Sequence, residues 1–206
     1  LASWAQSVGR AVSERRNKGQ SVGPLLTLQH RVANRLIYSK LKEAIGMKNA
    51  RLLVTGAAPI NPEIQHFFSG FDLVIREVYG QSEDCGPTSF NVPGRTRFGT
   101  VGPAFPGVSV KIADDGEICV KGPNVFMGYY KEPDATGETL ADGWLYSGDL
   151  GSFDDQGFLT ITGRKKDIII TAGGKNIAPK NIEAALQGLP GVSQAVVIGD
   201  RRKFLS

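Results

Sequence analysis

The sequence predicts an α/β fold laid out in three successive textures: a portion of a parallel sheet, a β-rich, barrel-like subdomain, and the start of a small α+β domain. Three observations carry this reading. Residues 51–79 run strand, turn, helix, strand, which is the unit of a parallel sheet. Residues 108–162 contain two hairpin signals, and residues 167–198 return to strand, turn, helix, strand after a polar, lysine-rich joint.

Leu1, Trp4, Ala5, Val8, Ala11 and Val12 recur at helical spacing, with Arg10, Glu14, Arg15 and Arg16 largely opposite, so residues 1–17 read as an amphipathic helix. A second helix opens at Pro24, which suits a first turn, and continues through Leu25, Leu28, Val32, Leu36, Leu41 and Ile45 to a stop at Gly46. Its cations Arg31, Arg35, Lys40 and Lys42 read as a solvated face, because no aromatic residues interleave them to stack bases. Leu52 to Thr55 form a short buried strand ending in Gly56-Ala57-Ala58-Pro59. The next helix starts at Asn61 and Pro62 and buries Ile64, Phe67 and Phe68, and a strand follows from Leu73 to Tyr79. Val108–Ala113 and Glu117–Lys121 flank Asp115-Gly116; Gly148–Phe153 and Phe158–Thr162 flank a second turn at 154–157. The last unit comprises Asp167–Thr171, a Gly173-Gly174 turn, a helix over Pro179–Gln187 and a strand over Val192–Ile198.

Composition narrows the function classes. With 206 residues, 41% hydrophobic and 21% charged, the chain can bury a core. Its apolar runs fall far short of the roughly 20 residues that cross a bilayer, so no transmembrane segment is expected. A net charge of +4 permits contact with anions without singling out nucleic acid, which is not a predicted partner. Cys85 and Cys119 form neither a metal-type pair nor a disulfide framework, which fits a reducing, cytoplasmic setting. Gly173-Gly174-Lys175 is followed by Asn176 and lacks the spaced glycine of a Walker loop, and no Gly-x-Gly-x-x-Gly follows a strand. His30 and His66 lack partners at zinc or triad spacing.

Four segments carry chemistry. Gly56-Ala57-Ala58 removes bulk at a strand end, so that a flat group can lie on bare backbone; a tight turn explains it equally simply. Tyr79-Gly80-Gln81-Ser82-Glu83-Asp84 offers an aromatic face, a hydroxyl and two carboxylates, a set that can stack a base, bind a phosphate and hold Mg2+, or form a solvated loop. Asp149, after Gly148, can accept from both hydroxyls of a ribose, or serve as a turn carboxylate. Arg164, Lys165 and Lys166 lie one hairpin beyond, able to bridge sugar and phosphate, with a plain basic turn as the alternative.

Together these segments resemble a known family. LLVTGAAPI, VYGQSED, GEICVKGPNVFMGYYKEPDAT, DGWLYSGDLG and GRKKDIIITAGGKNIAPKNIE are similar, in order and spacing, to motifs of the adenylate-forming enzymes, most closely the long-chain fatty acyl-CoA synthetases. The resemblance runs from about Arg51 to the end. It implies activation of a fatty acid by ATP to an acyl-adenylate, with release of pyrophosphate, then thioester formation with coenzyme A. It further implies that Gly56, Ala57 and Ala58 floor an adenine pocket against Tyr79 and Gly80, and that Ile161 packs beneath the base. Ser82 would contact phosphate, Glu83 would bind Mg2+, and Asp149 and Arg164 would hold the ribose. Lys166 would be a hinge, and the turn at Ala172, Gly173 and Gly174 would approach coenzyme A or the acyl-adenylate. Serines at 82 and 147, where the family often has Thr, keep the hydroxyl.

The family's phosphate loop and its adenylating lysine are missing, so the chain reads as an interior fragment, inactive alone. Residues 1–165 would belong to the large N-terminal adenylation domain and 166–206 to the hinge and a truncated small domain. The expected partners are thus ATP or AMP, fatty acid and coenzyme A. A membrane-peripheral parent protein stays open, and no oligomeric state is specified. The alternatives are an adenylating enzyme for another carboxylic acid and a non-catalytic nucleotide-binding module of the same fold.

Overall fold

The computed structural model describes residues 1–206, the side chain of Asn181 excepted. The chain divides into two compact units, Leu1–Tyr79 with Ser89–Pro103, and Gly80–Thr88 with Ala104–Ser206.

In the first unit, α1 (Ala2–Asn17) buries Ala5, Val8 and Val12 along the face that their spacing defines. α2 (Pro24–Ala33) begins at proline, as expected, and leads through a π-helical stretch at Asn34–Tyr38 into α3 (Ser39–Ala44). The expected single helix therefore carries a change of phase. Its consequence is Tyr38, which is fully buried with its hydroxyl donating to the carbonyl of Ala5. Ala5, Val8, Ala33 and Tyr38 form a core against which Leu26, Ile37 and Phe71 pack. Close approach is enforced at Gly9, where a Cβ would lie 2.1 Å from the carbonyl oxygen of Gly70.

β1 (Leu53–Thr55) pairs in parallel with β2 (Ile75–Gln81), in the register Leu53 opposite Ile75, and α4 (Pro62–Ser69) connects them. Asn61 caps α4 by accepting from the Glu63 amide at 2.8 Å. β3 (Gly86–Phe90) follows, and just beyond it Asn91 donates its N–H to the carbonyl of Glu77. Two expectations are corrected here. β1 is not buried, since Val54 is 47% exposed. α4 turns Gln65 and Ser69 inward and leaves Ile64 and Phe67 exposed at 44% and 49%, with Phe68 half-buried. The reason is polar: the Gln65 amide donates to the carbonyl of Ile75 and accepts from the amide of Gly99, so the inward face ties backbone instead of burying the apolar stripe.

After α4 the chain turns at Asp72, in the left-handed region at φ +59. Its carboxylate accepts from Lys42 at 2.6 Å, His30 at 3.0 Å and Arg16 at 3.4 Å, which ties all three helices of the N-terminal layer to this turn. Burial pushes this carboxyl up, but the hydrogen bonds and charges of His30 and Lys42 outweigh it and bring it from 3.8 down to about 2.

The second unit is antiparallel. β4 (Ser109–Ile112), β5 (Glu117–Lys121), β6 (Leu140–Ala141), β7 (Trp144–Phe153) and β8 (Leu159–Arg164) form a sheet of order β4-β5-β7-β6, with β8 also on β7; α5 (Pro133–Thr139) precedes β6. Ile118, Val120, Leu145 and Leu159 are fully buried in its core. The barrel-like expectation is corrected to an open sheet: the edge strands do not pair with each other, and β6 has only two residues with which to extend the edge. β9 (Ile169–Ile170) and β10 (Asn176–Ile177) form a small antiparallel pair, followed by α6 (Pro179–Gln187) as expected. The strand expected over Val192–Ile198 is absent among the described residues. Its backbone is satisfied otherwise, by Glu183, whose carboxylate accepts from the Val197 amide, and by Ser206, which exchanges two backbone hydrogen bonds with Ile198. Among the described residues no helix is long and apolar enough to cross a membrane.

Candidate functional site

The turn that opens the second unit is built on two requirements. Gly80 must be glycine, because a Cβ there would lie 1.9 Å from the carbonyl oxygen of Gly86. Gln81 and Asp84 then cap the 3-10 turn Ser82–Asp84 reciprocally, side chain to backbone in both directions. Asp84 is fully buried, and its carboxylate also takes the Thr88 hydroxyl. Burial raises its pKa, against the hydrogen bonds from Thr88, Gln81 and Gly86. The two carboxylates of this motif therefore divide: Asp84 holds the turn from inside, and Glu83 is left to line a cavity of about 810 Å³.

That cavity lies within the second unit, and Gln81, Tyr129, Tyr146, Glu117, Arg164, Lys165 and Lys166 also line it. Its floor is a bulge. Glu117 stands opposite Leu150 and Cys119 opposite Tyr146, so Ser147, Gly148 and Asp149 of β7 face the single residue Ile118 of β5. The strand expected from Gly148 thus begins earlier, at Trp144, and the whole motif sits inside one long strand. Gly148 takes φ +73 at the bulge, and its N–H is turned from the ladder to the Glu117 carboxylate at 2.8 Å. The other oxygen of Glu117 accepts from Lys165 at 2.6 Å, and Lys165 also reaches Asp115 at 2.7 Å. These hydrogen bonds from the two carboxylates hold Lys165 well above the usual ammonium range, and Lys165 in turn lowers Asp115.

Beside the bulge, Asp149 and Arg164 are paired across β7 and β8, and the Arg164 Nε donates to the Asp149 carboxylate at 2.8 Å. Asp149 is 8% exposed and its own amide donates to the Ser147 hydroxyl. On the opposite wall the Tyr129 hydroxyl donates to the Glu83 carboxylate at 2.7 Å, a bond that raises the phenol pKa.

Of the residues expected at a site, Glu83, Arg164 and Lys166 line one cavity, with Asp149 directly behind Arg164 and Gly80 at the root of the Glu83 turn. Ser82 is exposed and Ile161 is half-buried on β8; neither is in the lining. Gly173 and Gly174 form an exposed turn outside it, in which Gly174 takes φ +78 and donates to the carbonyl of Thr171. Gly56, Ala57, Ala58 and Tyr79 belong to the first unit. There a Cβ on Gly56 would meet the Val78 side chain at 2.9 Å, Ala57 holds φ +65, and Tyr79 is half-buried on β2. Glu117 and Tyr129 are lining residues that motif reasoning passed over. An acid leading the apolar run Ile118-Cys119-Val120 was the available signal for Glu117, because unpaired carboxylates are rarely buried.

The arrangement offers cations for phosphate, a carboxylate pair-member for hydroxyls and a carboxylate for a divalent ion. Among the described residues no three His, Cys, Asp or Glu side chains gather as a metal cage. Glu83 alone suits a magnesium ion that draws its remaining ligands from phosphate and water.

A family model described as AMP-binding enzyme matches residues 24–130. The chain is 49% identical over 183 residues to the long-chain-fatty-acid–CoA ligase FadD15 of Mycobacterium tuberculosis, covering 89% of this chain and 30% of that protein. It is 40% identical to the long-chain-fatty-acid–CoA ligase ACSBG2 of Xenopus laevis, covering 100% of this chain and 28% of the relative. Among solved structures, ATP-bound MatB from Rhodopseudomonas palustris is similar with TM-score 0.67 and 37% identity, over 76% of this chain and 33% of that one. O-succinylbenzoate coenzyme A synthetase from Bacillus subtilis, in complex with ATP and magnesium ion, is similar with TM-score 0.68 and 30% identity, over 75% and 35% of the two chains. The chain thus spans under a third of the length of these curated relatives.

Proposed function

We propose, from the premise that this chain belongs to the AMP-binding enzyme family, that it carries the nucleotide-handling part of an ATP-dependent long-chain fatty acid–CoA ligase. The observation that carries this reading is the cavity on which Glu83, the Asp149–Arg164 pair and Lys166 converge from three separate sequence motifs. In the proposed reaction a carboxylate oxygen of the fatty acid attacks the α-phosphorus of ATP and displaces pyrophosphate. The thiol of coenzyme A then attacks the acyl carbon and displaces AMP.

The residues fit distinct parts of that task. Asp149 is proposed to accept from the ribose hydroxyls and is held in place by the Arg164 guanidinium. Gly56, Ala57, Ala58, Tyr79, Gly80 and Ile161 are the residues proposed for the adenine from their motif positions, and Ser82 is proposed to offer a hydroxyl to phosphate. Glu83 is the proposed ligand of magnesium, which when bound would neutralise charge building on the departing pyrophosphate. Lys166 follows β8 at the start of a short 3-10 turn, Lys165–Asp167, a place suited to rotation between the two half-reactions. The domain boundary proposed there separates 1–165 from 166–206, and the exposed Gly173-Gly174 turn would meet coenzyme A or the adenylate. A cytoplasmic setting accords with two free thiols, Cys85 and Cys119.

The solved relative that acts on O-succinylbenzoate keeps a different carboxylic acid in view, but relatives at 40–49% identity named for long-chain fatty acids favour the lipid. Acid-dependent ATP–pyrophosphate exchange on the full-length parent protein decides it, since this chain alone is expected to give none. Exchange is expected with long-chain fatty acids, and exchange with an aryl acid alone would remove the lipid reading. Glu83→Gln is expected to lower the rate by roughly a hundredfold, and an unchanged rate would take Glu83 out of the metal role.

A further inference from the structure

The segment Gly122–Tyr130 has no part in the reading above, yet two bonds stitch it to the metal-binding turn. The Phe126 amide donates to the Glu83 carbonyl at 2.8 Å, and the Tyr129 hydroxyl donates to the Glu83 carboxylate at 2.7 Å. Such a short O–H to carboxylate distance marks a charge-assisted bond. Tyr129 is itself held on three sides. Its ring meets Phe126 edge to face at 4.9 Å between centroids, and its amide donates to the Thr136 hydroxyl at 2.9 Å. That hydroxyl donates onward to the carbonyl of Glu132. Gly128, at φ +141, lets the chain pass Thr136, whose methyl group would lie 2.6 Å from a Cβ at this position. A tyrosine that served only as loose cover would need none of this.

A glutamate has three rotatable bonds, and a lone carboxylate that must meet a cation and a triphosphate gains from having them fixed beforehand. We infer that Tyr129 is a positioning residue for Glu83: its hydroxyl occupies Oε1 and so presents Oε2 to the divalent ion that accompanies ATP. The inference rests on the assignment of Glu83 as the metal ligand. It adds a residue that acts through Glu83 and does not touch the reacting atoms. Because the bond joins residues 46 positions apart, it also makes the fixed geometry depend on the Gly122–Tyr130 segment being folded.

The test is Mn2+ titration of the full-length parent protein with ATP, read as water-proton relaxation enhancement of the ternary complex, beside the Mg2+ dependence of its pyrophosphate exchange. Tyr129→Phe deletes one oxygen and keeps the ring. It is expected to weaken Mn2+ in the ternary complex roughly 10-fold to 100-fold, with KM for the fatty acid unchanged and the exchange rate recovering at high Mg2+. In a Glu83→Gln background the same substitution is expected to cost nothing more. Wild-type Mn2+ affinity in Tyr129→Phe, beside a loss in Glu83→Gln, overturns the proposal alone. Full additivity of the two substitutions also overturns it, since that is the behaviour of a structural anchor. Unchanged Mn2+ affinity in Glu83→Gln overturns the metal assignment and the proposal with it.

Discussion

The two units invest their charges differently. In the first, one carboxylate, Asp72, collects Lys42, His30 and Arg16, and the cluster clamps helices. In the second, carboxylates and cations are spread round a cavity: Tyr129 bonds Glu83 and Lys165 bonds Glu117 on its wall, and Arg164 lines it while bonded to Asp149. Both use nearly the same chemistry. A carboxylate saturated by three donors has little capacity left for a ligand, whereas Glu83, which takes the Tyr129 hydroxyl on one oxygen, is aimed and still faces the cavity. Counting donors on a single carboxylate ranks Asp72 first; counting acceptor capacity beside a cavity ranks Glu83.

The contrast can be broken most forcefully at two glycines. Gly9→Ala and Gly80→Ala each drive a Cβ into a backbone carbonyl, at 2.1 Å and 1.9 Å, so each is expected to cost about 3 kcal/mol or more. Hydrogen exchange should then separate them. Gly9→Ala is expected to expose the amides of α1 and α4 and spare AMP binding, measured by calorimetry, while Gly80→Ala exposes the Ser82–Asp84 turn and abolishes it. Equal loss of AMP binding in both would erase the distinction between the Asp72 helix clamp and the Glu83 turn.

A smaller effect is expected from Asp72→Asn, about 2 kcal/mol. Since the folded pKa of Asp72 is depressed to about 2 from 3.8, its stabilisation is present above the unfolded value and disappears as pH falls through about 2. Denaturant midpoints of wild type and Asp72→Asn should therefore differ at neutral pH and converge in acid. A gap that persists at pH about 2 would assign the loss to packing. The smallest effect is expected from Lys165→Met, about 1 kcal/mol, because the Lys165 side chain is 44% exposed and Glu117 keeps the Gly148 amide. Its stability loss should shrink in high salt, whereas a salt-independent loss would show that the aliphatic stem matters more than the charge.

How much of this was legible in the sequence follows the range of each interaction. Proline and capping signals located α2, α4 and α6, and turn residues located both hairpins, because those preferences act within a few residues. The apolar spacing of Ile64 and Phe67 identified a helix but not which face would be turned inward, a choice made by Gln65 reaching Ile75 and Gly99. The run Val192–Ile198 has strand composition, yet a ladder needs a partner strand and the chain supplies Glu183 and Ser206 instead. At the site, the motif residues Glu83, Asp149, Arg164 and Lys166 were readable one by one. The hairpin already brings Arg164 back to Asp149, 15 positions away, but the Tyr129 bond that orients Glu83 spans 46 positions and follows no local pattern.

The bulge on β7 has one more consequence. A regular sheet can slip along its neighbours, each step costing little where side chains are alike. Here, sliding β7 by one position against β5 would carry Gly148 out of the only place that tolerates φ +73 and strip Glu117 of its amide, stranding a charge that is only 5% exposed. The strands are thus indexed like the teeth of a key. Misregistered forms of β7 against β5 are penalised at these residues, while Asp149 is set opposite Arg164 by the separate β7–β8 pairing, which carries its own irregularity between Leu150 and Gly151.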